Sequence, residues 1–343
     1  MTPFQRQLVA LIAEGGPIPV GRFIGMANAH YYGSRDPLGA AGDFITAPEI
    51  SQMFGELIGL WLADRWQRAG APGNAVLVEL GPGRGTLMAD VRRALRGVAD
   101  LADAPVHFVE TSAALKAAQA ARHPDAYWHD GVESLPGGVP LLVIANEFFD
   151  ALPVRQMVRT AEGWRERMIG LDGDKLAPAA GTVPSDALVP AGLRDAPVGS
   201  IFEISPASTA IMADLAARIE TQGGAALIVD YGYRGPAIGD TLQAVRAHRF
   251  ADPFADAGEV DLTAHVDFTG LAAAAARAGA RCEGVFEQGA FLKALGIERR
   301  AAALAKTNPA RAEALAAEVA RLTGADEMGT LFKVLAISAS DWS

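Results

Sequence analysis

The sequence predicts an α/β fold in which a parallel sheet is covered by helices. Three observations predict it. From Ala75 onward, short apolar runs alternate with amphipathic stretches, the pattern of βαβ units. The first run leads into Gly81-Pro82-Gly83-Arg84-Gly85, a strand-to-helix turn where a ligand can approach the backbone. Polar residues follow directly on later runs, where the ligand crevice of a parallel sheet lies.

The elements follow in order. Phe4, Leu8, Leu11 and Ile12 form the apolar stripe of a helix over about 3–14, stopped by Gly15-Gly16-Pro17. A Gly-, Tyr- and Pro-rich stretch from His30 to Pro48 reads as a long loop. Thr46-Ala47-Pro48-Glu49 has the spacing of a capping box. It opens a helix with Ile50, Met53, Phe54, Leu57, Ile58, Trp61 and Leu62 on one face, stopped over Gly70–Gly73.

Strands are expected at Ala75–Leu80, Val106–Glu110, Tyr127–Trp128, Leu141–Ala145, Ala225–Asp230, Arg281–Phe286 and Leu331–Ile337. Helices are expected at Thr86–Leu95, Ser112–Arg122, Pro206–Gln222 and Phe268–Arg277. Residues 154–200 break the rhythm with alternating Val154, Gln156 and Val158, and read as a β-hairpin insertion. The stretch 296–323 is charged, Ala-rich and helical, with a break at Asn308-Pro309. The organisation is an N-terminal helical and lid region over 1–70, then a Rossmann-like domain over 71–343. The latter carries insertions at 154–200 and 290–325.

Composition bounds the function. With 343 residues the chain can bury a large core. Thirty basic against forty acidic residues give a net charge of −10, which argues against non-specific binding of nucleic acid or anionic lipid. The single cysteine, Cys282, excludes an internal disulfide framework. No apolar run approaches the ~18 residues of a membrane span. The N-terminus lacks the pattern of a secretory or transit peptide, so a cytoplasmic protein without membrane insertion is expected. Histidine spacing predicts no metal site. Nothing in the sequence indicates an oligomeric state.

The glycine turn carries the ligand chemistry. Its third glycine falls one residue before the place a dinucleotide fingerprint requires, and no Lys-Ser/Thr pair follows to make a P-loop. Glu79, then Gly81, Pro82, Gly83 and Gly85, resembles motif I of S-adenosylmethionine-dependent methyltransferases. Glu110, ending the second strand, either accepts ribose hydroxyls or caps the helix that Thr111 and Ser112 open. Asp130 either accepts from an adenine amino group or sits in a turn before Gly131. Asn146, Glu147 and Asp150 follow the fourth strand, where two carboxylates and an amide beside buried backbone would be costly without a task. Five parallel βα units and a final strand pair are similar to the class I methyltransferase sheet. That sheet has seven strands in an order resembling 3-2-1-4-5-7-6, with the last antiparallel.

Longer strings resemble one family. Tyr31-Tyr32-Gly33, Gly42-Asp43-Phe44-Ile45-Thr46-Ala47-Pro48-Glu49, Asn146-Glu147-Phe148-Phe149-Asp150 and Asp261-Leu262-Thr263-Ala264-His265-Val266-Asp267-Phe268 are similar to signatures of the MidA-like family. The resemblance extends over nearly the whole chain. It implies S-adenosylmethionine as cofactor and arginine in a protein as methyl acceptor, with symmetric ω-N dimethylation as the family product. Mitochondrial members assist assembly of respiratory complex I, and the family substrate is a core subunit of that complex.

A guanidinium has a pKa above ~12, so carboxylates must orient it and stabilise its charge during transfer. Glu147 and Asp150 are the first candidates, Glu203 the third, and His265 a candidate base. No double-acid Glu-x₈-Glu loop is present. Asp43 and Thr46 are placed at the cofactor in an N-terminal lid, with Tyr31, Tyr32 and Phe44 as aromatic contacts; Thr46 also serves as the helix cap. Two other readings stay open: a non-catalytic cofactor-binding assembly factor, and a methyltransferase acting on a small molecule or RNA.

Overall fold

Seven strands make up the main path of the largest sheet. In the computed structural model, which describes residues 1–34, 46–98, 100–246 and 249–342, they are β1 (Val76–Leu80), β2 (Val106–Val109), β3 (Tyr127–His129), β4 (Leu141–Asn146), β5 (Gly224–Tyr233), β6 (Arg281–Glu287) and β7 (Phe332–Ser338). Their order in the sheet is β3-β2-β1-β4-β5-β7-β6. The first five are mutually parallel, and β7 runs antiparallel to both β5 and β6. All residues of β1 and β4 are buried, as expected for parallel strands covered on both faces. The helices that follow β1 and β2 are α1 (Thr86–Leu95) and α2 (Ala113–Arg122).

The chain forms two compact units. One comprises Met1–Phe44, Asp150–Thr209 and Arg234–Asp267; the other, the sheet unit, comprises Ile45–Phe149, Ala210–Tyr233 and Phe268–Ser343. The helix Gln52–Arg68 joins the sheet unit because Gly55 and Gly59, one turn apart, let it approach α1 closely. A Cβ on Gly55 would lie 2.6 Å from Asp90 Cβ, and one on Gly59 3.1 Å from the Val91 carbonyl oxygen.

The capping box expected at Thr46 and Glu49 does not form. Thr46 occupies the cap position of Ala47–Ile50, but its side chain makes no cap hydrogen bond, and Glu49 instead accepts from the Thr86 hydroxyl at 2.7 Å. The helix then breaks at Ser51, whose extended backbone and hydroxyl cap Gln52–Arg68. A true capping box closes between Thr2 and Gln5 at the head of Pro3–Gly15.

The other unit is built around an antiparallel sheet. Ile18–Pro19 pairs with Gly163–Asp172, followed by Arg155–Thr160 and Ile201–Ile204, with Lys175–Pro184 on the far side of Gly163–Asp172. The expected hairpin insertion is thus longer than two strands. Its core joins Phe4, Leu8 and Ile12 of the first helix to Phe23, Ile169, Ala244 and Leu262. The helix Val20–Ser34 continues through His30–Gly33, where a loop was expected, because Tyr31 is an apolar anchor and is fully buried.

The helical insertion begins earlier than expected, at Gln288, and consists of Gln288–Leu295, Ile297–Thr307 and Ala312–Thr323. Among the described residues no helix is long and apolar enough to cross a membrane.

Candidate active site

The turn between β1 and α1 is glycine for two reasons. Gly81, Gly83 and Gly85 have φ of +61°, +53° and +74°, a region that costs other residues about 1–2 kcal/mol each. There is also no room: a Cβ on Gly81 would lie 2.9 Å from Phe148 Cδ2, and one on Gly85 2.9 Å from His123 Cδ2. The Gly85 N–H donates to the carbonyl of Pro82, itself buried, at 2.7 Å. Gly85 also caps α1 without a side chain, so the orphan N–H groups of the first turn border the glycine loop.

Glu79 lies under this turn and is 3% exposed. The Met88 N–H donates to its carboxylate, while Oε2 is buried and has no partner among the described residues. Burial pushes its carboxyl well above the ordinary range, which favours the neutral acid.

Glu110 directly follows β2 and is buried. Its Oε1 accepts from the N–H groups of Thr111 and Ser112, both at 2.8 Å, and Oε2 accepts from Gln119 Nε2 at 3.2 Å. Burial raises its pKa against these hydrogen bonds. The capping reading of Glu110 is therefore present in the structure. A carboxylate offers about four acceptor positions, so one remains on Oε2. The Thr111 side chain is exposed. Asp130 is also exposed and pairs with Lys116 at 2.8 Å, a hydrogen bond that holds its carboxyl below the ordinary range.

At the end of β4, Asn146 is buried with Oδ1 lacking a partner among the described residues. Its Nδ2 donates to Glu147 Oε1 at 3.1 Å, and the Ala47 N–H donates to the same oxygen at 3.3 Å. Glu147 has φ of +51°, strain that persists only where its surroundings impose it. Phe148 covers Gly81, and the Phe149 N–H donates to the buried Asp230 at 3.0 Å. The structure thus brings Glu79, Gly81, Pro82, Gly83, Gly85, Glu110, Asn146 and Glu147 into one unit, at the carboxyl ends of β1, β2 and β4.

Asp150, Glu203 and His265 belong to the other unit. Asp150 is buried, and its carbonyl accepts from the Ala264 N–H at 3.0 Å. Glu203 accepts from Gln156 Nε2 at 2.6 Å and from both the N–H and the hydroxyl of Thr241, a tie within a polar network. The His265 N–H donates to the Thr241 hydroxyl at 2.9 Å. The Tyr32 hydroxyl donates to Asp261 at 2.8 Å. Asp43 and Phe44 lie outside the described residues. Thr46 is half-buried. Among the described residues no group of three or more His, Cys, Asp or Glu is arranged to hold a metal.

Sequence reasoning missed Gln119 on α2 and His123, which caps the C-terminus of α2. Gln119 donates to the Gly83 carbonyl at 2.7 Å, and His123 Nε2 lies 2.8 Å from the Gly85 carbonyl oxygen. The available signal was two polar residues four apart, on the face that also carries the buried Leu115.

The model of a family described as S-adenosyl-L-methionine-dependent methyltransferases matches residues 57–286. The mitochondrial protein arginine methyltransferase NDUFAF7 homolog of Drosophila melanogaster is 37% identical, over 97% of this chain and 84% of its own. The human mitochondrial protein arginine methyltransferase NDUFAF7 is 36% identical, over 88% of this chain and 75% of its own. A Burkholderia thailandensis crystal structure bound to S-adenosyl-homocysteine is 28% identical. It covers 99% of this chain and 94% of its own, with a TM-score of 0.85.

Proposed function

The chain belongs to a family of S-adenosyl-L-methionine-dependent methyltransferases, and on that premise we propose that it methylates arginine in a protein substrate. The observation that carries the reading is the strained Glu147 at the end of β4, one residue before Phe148, which covers Gly81. The names of the 35–37% identical relatives support arginine as the acceptor.

The residues present fit the cofactor. Glu79 Oε2 and Asn146 Oδ1 are buried oxygens without partners among the described residues, Glu110 keeps one acceptor position, and Gly81 admits only backbone beneath Phe148. Glu79, Gly81, Gly83, Gly85, Glu110 and Asn146 would hold S-adenosylmethionine. When bound, the cofactor supplies a sulfonium-activated methyl carbon.

Catalysis by the chain is then mostly positioning. The Glu147 carboxylate, fixed at Oε1 by the Asn146 amide and the Ala47 N–H, orients the guanidinium. It stabilises the positive charge there and takes up the proton that leaves the methylated nitrogen. Asp150 is proposed as a second acid on the same sequence segment.

By family resemblance, the substrate is a subunit of respiratory complex I. The two relatives above are described as mitochondrial, and fractionation of cells expressing the tagged chain tests where this protein resides.

The function is tested by calorimetric titration with S-adenosylmethionine, with NAD as control, followed by methyl transfer into extracts of cells lacking the protein. Methylarginine in a defined protein supports the reading. Label only in RNA or small molecules, or no binding of S-adenosylmethionine, would sink it.

A further inference from the structure

We propose that Gln119 is the positioning residue of the cofactor site, aligning the glycine turn and the ribose-facing carboxylate through one side-chain amide. The inference rests on the cofactor reading above and deepens it.

Gln119 lies on α2 and is fully buried. Its two Nε2 hydrogens go to the Gly83 carbonyl at 2.7 Å and to Glu110 Oε2 at 3.2 Å, and its Oε1 accepts from Trp128 Nε1 at 2.8 Å. The indole N–H can only donate. The amide oxygen must therefore face Trp128, and the NH₂ must face the turn and Glu110. An amide that could otherwise flip is fixed by its neighbour.

Two consequences follow for the ligand. The Glu110 carboxylate is held at both oxygens, by backbone N–H groups at Oε1 and by Gln119 at Oε2. The direction of its remaining acceptor position is then set before any hydroxyl arrives. The Gly83 carbonyl is drawn toward α2, and a trans peptide places its N–H opposite its carbonyl. The Arg84 N–H is thereby turned away from α2. One side chain links the segment after β1 to the segment after β2, and a ligand that uses both finds them in register.

The test measures binding of S-adenosylhomocysteine and of its 2′,3′-dideoxyribose analogue to wild type, Gln119→Leu, Gln119→Met and Trp128→Phe. Unfolding temperatures of the ligand-free proteins are taken alongside. Gln119→Met keeps the side-chain length and serves if the leucine variant does not fold. The expected result is a loss of about tenfold in affinity for S-adenosylhomocysteine in the Gln119 variants. Trp128→Phe should give a smaller loss. The loss should shrink by about threefold or more for the dideoxy analogue, because the misaligned Glu110 then has no hydroxyl to miss. Equal losses for both ligands would mean a general packing role and overturn the proposal, as would wild-type affinity in the Gln119 variants. If wild type itself binds neither ligand, the cofactor reading fails and this proposal with it.

Discussion

His123 Nε2 lies 2.8 Å from the carbonyl oxygen of Gly85, and the other ring nitrogen, Nδ1, is buried without a hydrogen-bond partner among the described residues. The ring is thus neutral with its proton on Nε2, donating to the glycine turn. Burial lowers the pKa of His123, and burial foremost takes His107 down to about 4. In the unfolded chain both titrate near ~6.5. The unfolded state therefore takes up protons first as pH falls. Stability from these rings is intact above ~6.5 and declines as pH falls below it, in the case of His107 down to about 4. Glu79, raised by burial, contributes a slope of opposite sign. The decisive quantity is the difference between wild type and His123→Gln in denaturant unfolding at pH 7.5, 6.0 and 5.0. That difference should narrow as pH falls; a constant difference would refute the assignment.

Gly81 should resist substitution for a reason that can be partly repaired. Gly81→Ala meets both the φ of +61° and the Phe148 ring at 2.9 Å. It should cost about 2–3 kcal/mol of stability and abolish cofactor binding. Gly81→Ala with Phe148→Leu should recover about 1 kcal/mol, leaving the backbone strain. No recovery in calorimetric unfolding would mean that the ring is not the obstacle.

Glu147→Gln keeps the side-chain shape and an oxygen for the Ala47 N–H, but removes the charge. Methyl transfer should fall about a hundredfold or more, while affinity for S-adenosylhomocysteine changes less than about threefold. Loss of affinity with retained turnover would assign Glu147 to the cofactor instead.

Asp130 separates a ligand contact from a surface ion pair. Its side chain is 84% exposed and paired with Lys116, so Asp130→Ala should leave the unfolding temperature unchanged. If it also accepts from the adenine amino group, affinity should drop with S-adenosylhomocysteine and not with the corresponding inosine analogue. Equal affinities of wild type and variant would leave Asp130 as a surface residue.

The sheet was legible because its inner parallel strands, such as β4, are nearly continuous apolar runs, and helices follow β1 and β2. Leu141–Ala145, buried on both faces, can hardly be read another way. The glycine turn was legible because left-handed backbone selects one residue type. The helix break at Ser51 was not, since Thr46 and Ser51 offer the same cap chemistry and tertiary packing selects between them. Gln119 was hidden because polarity on a short helix signals solvent, whereas this amide is buried through three hydrogen bonds. Glu203 looked like a free acid in sequence, yet Gln156 and Thr241 absorb it. These partners are 47 and 38 residues away, and no local pattern announces them.

The unit assembled from three separate stretches of chain imposes a waiting time on the ribosome. The Asn28 amide donates to the Leu262 carbonyl at 2.7 Å, across 234 residues. At the usual ~5–20 residues per second, that partner emerges on the order of 10–50 s after Asn28. Through that interval the stripe of Phe4, Leu8 and Ile12 lacks the late segment containing Ala244 and Leu262 on which its core is completed. The nascent chain would therefore expose a greasy N-terminal helix for most of its synthesis, a target for holdase chaperones before the protein has any enzymatic existence.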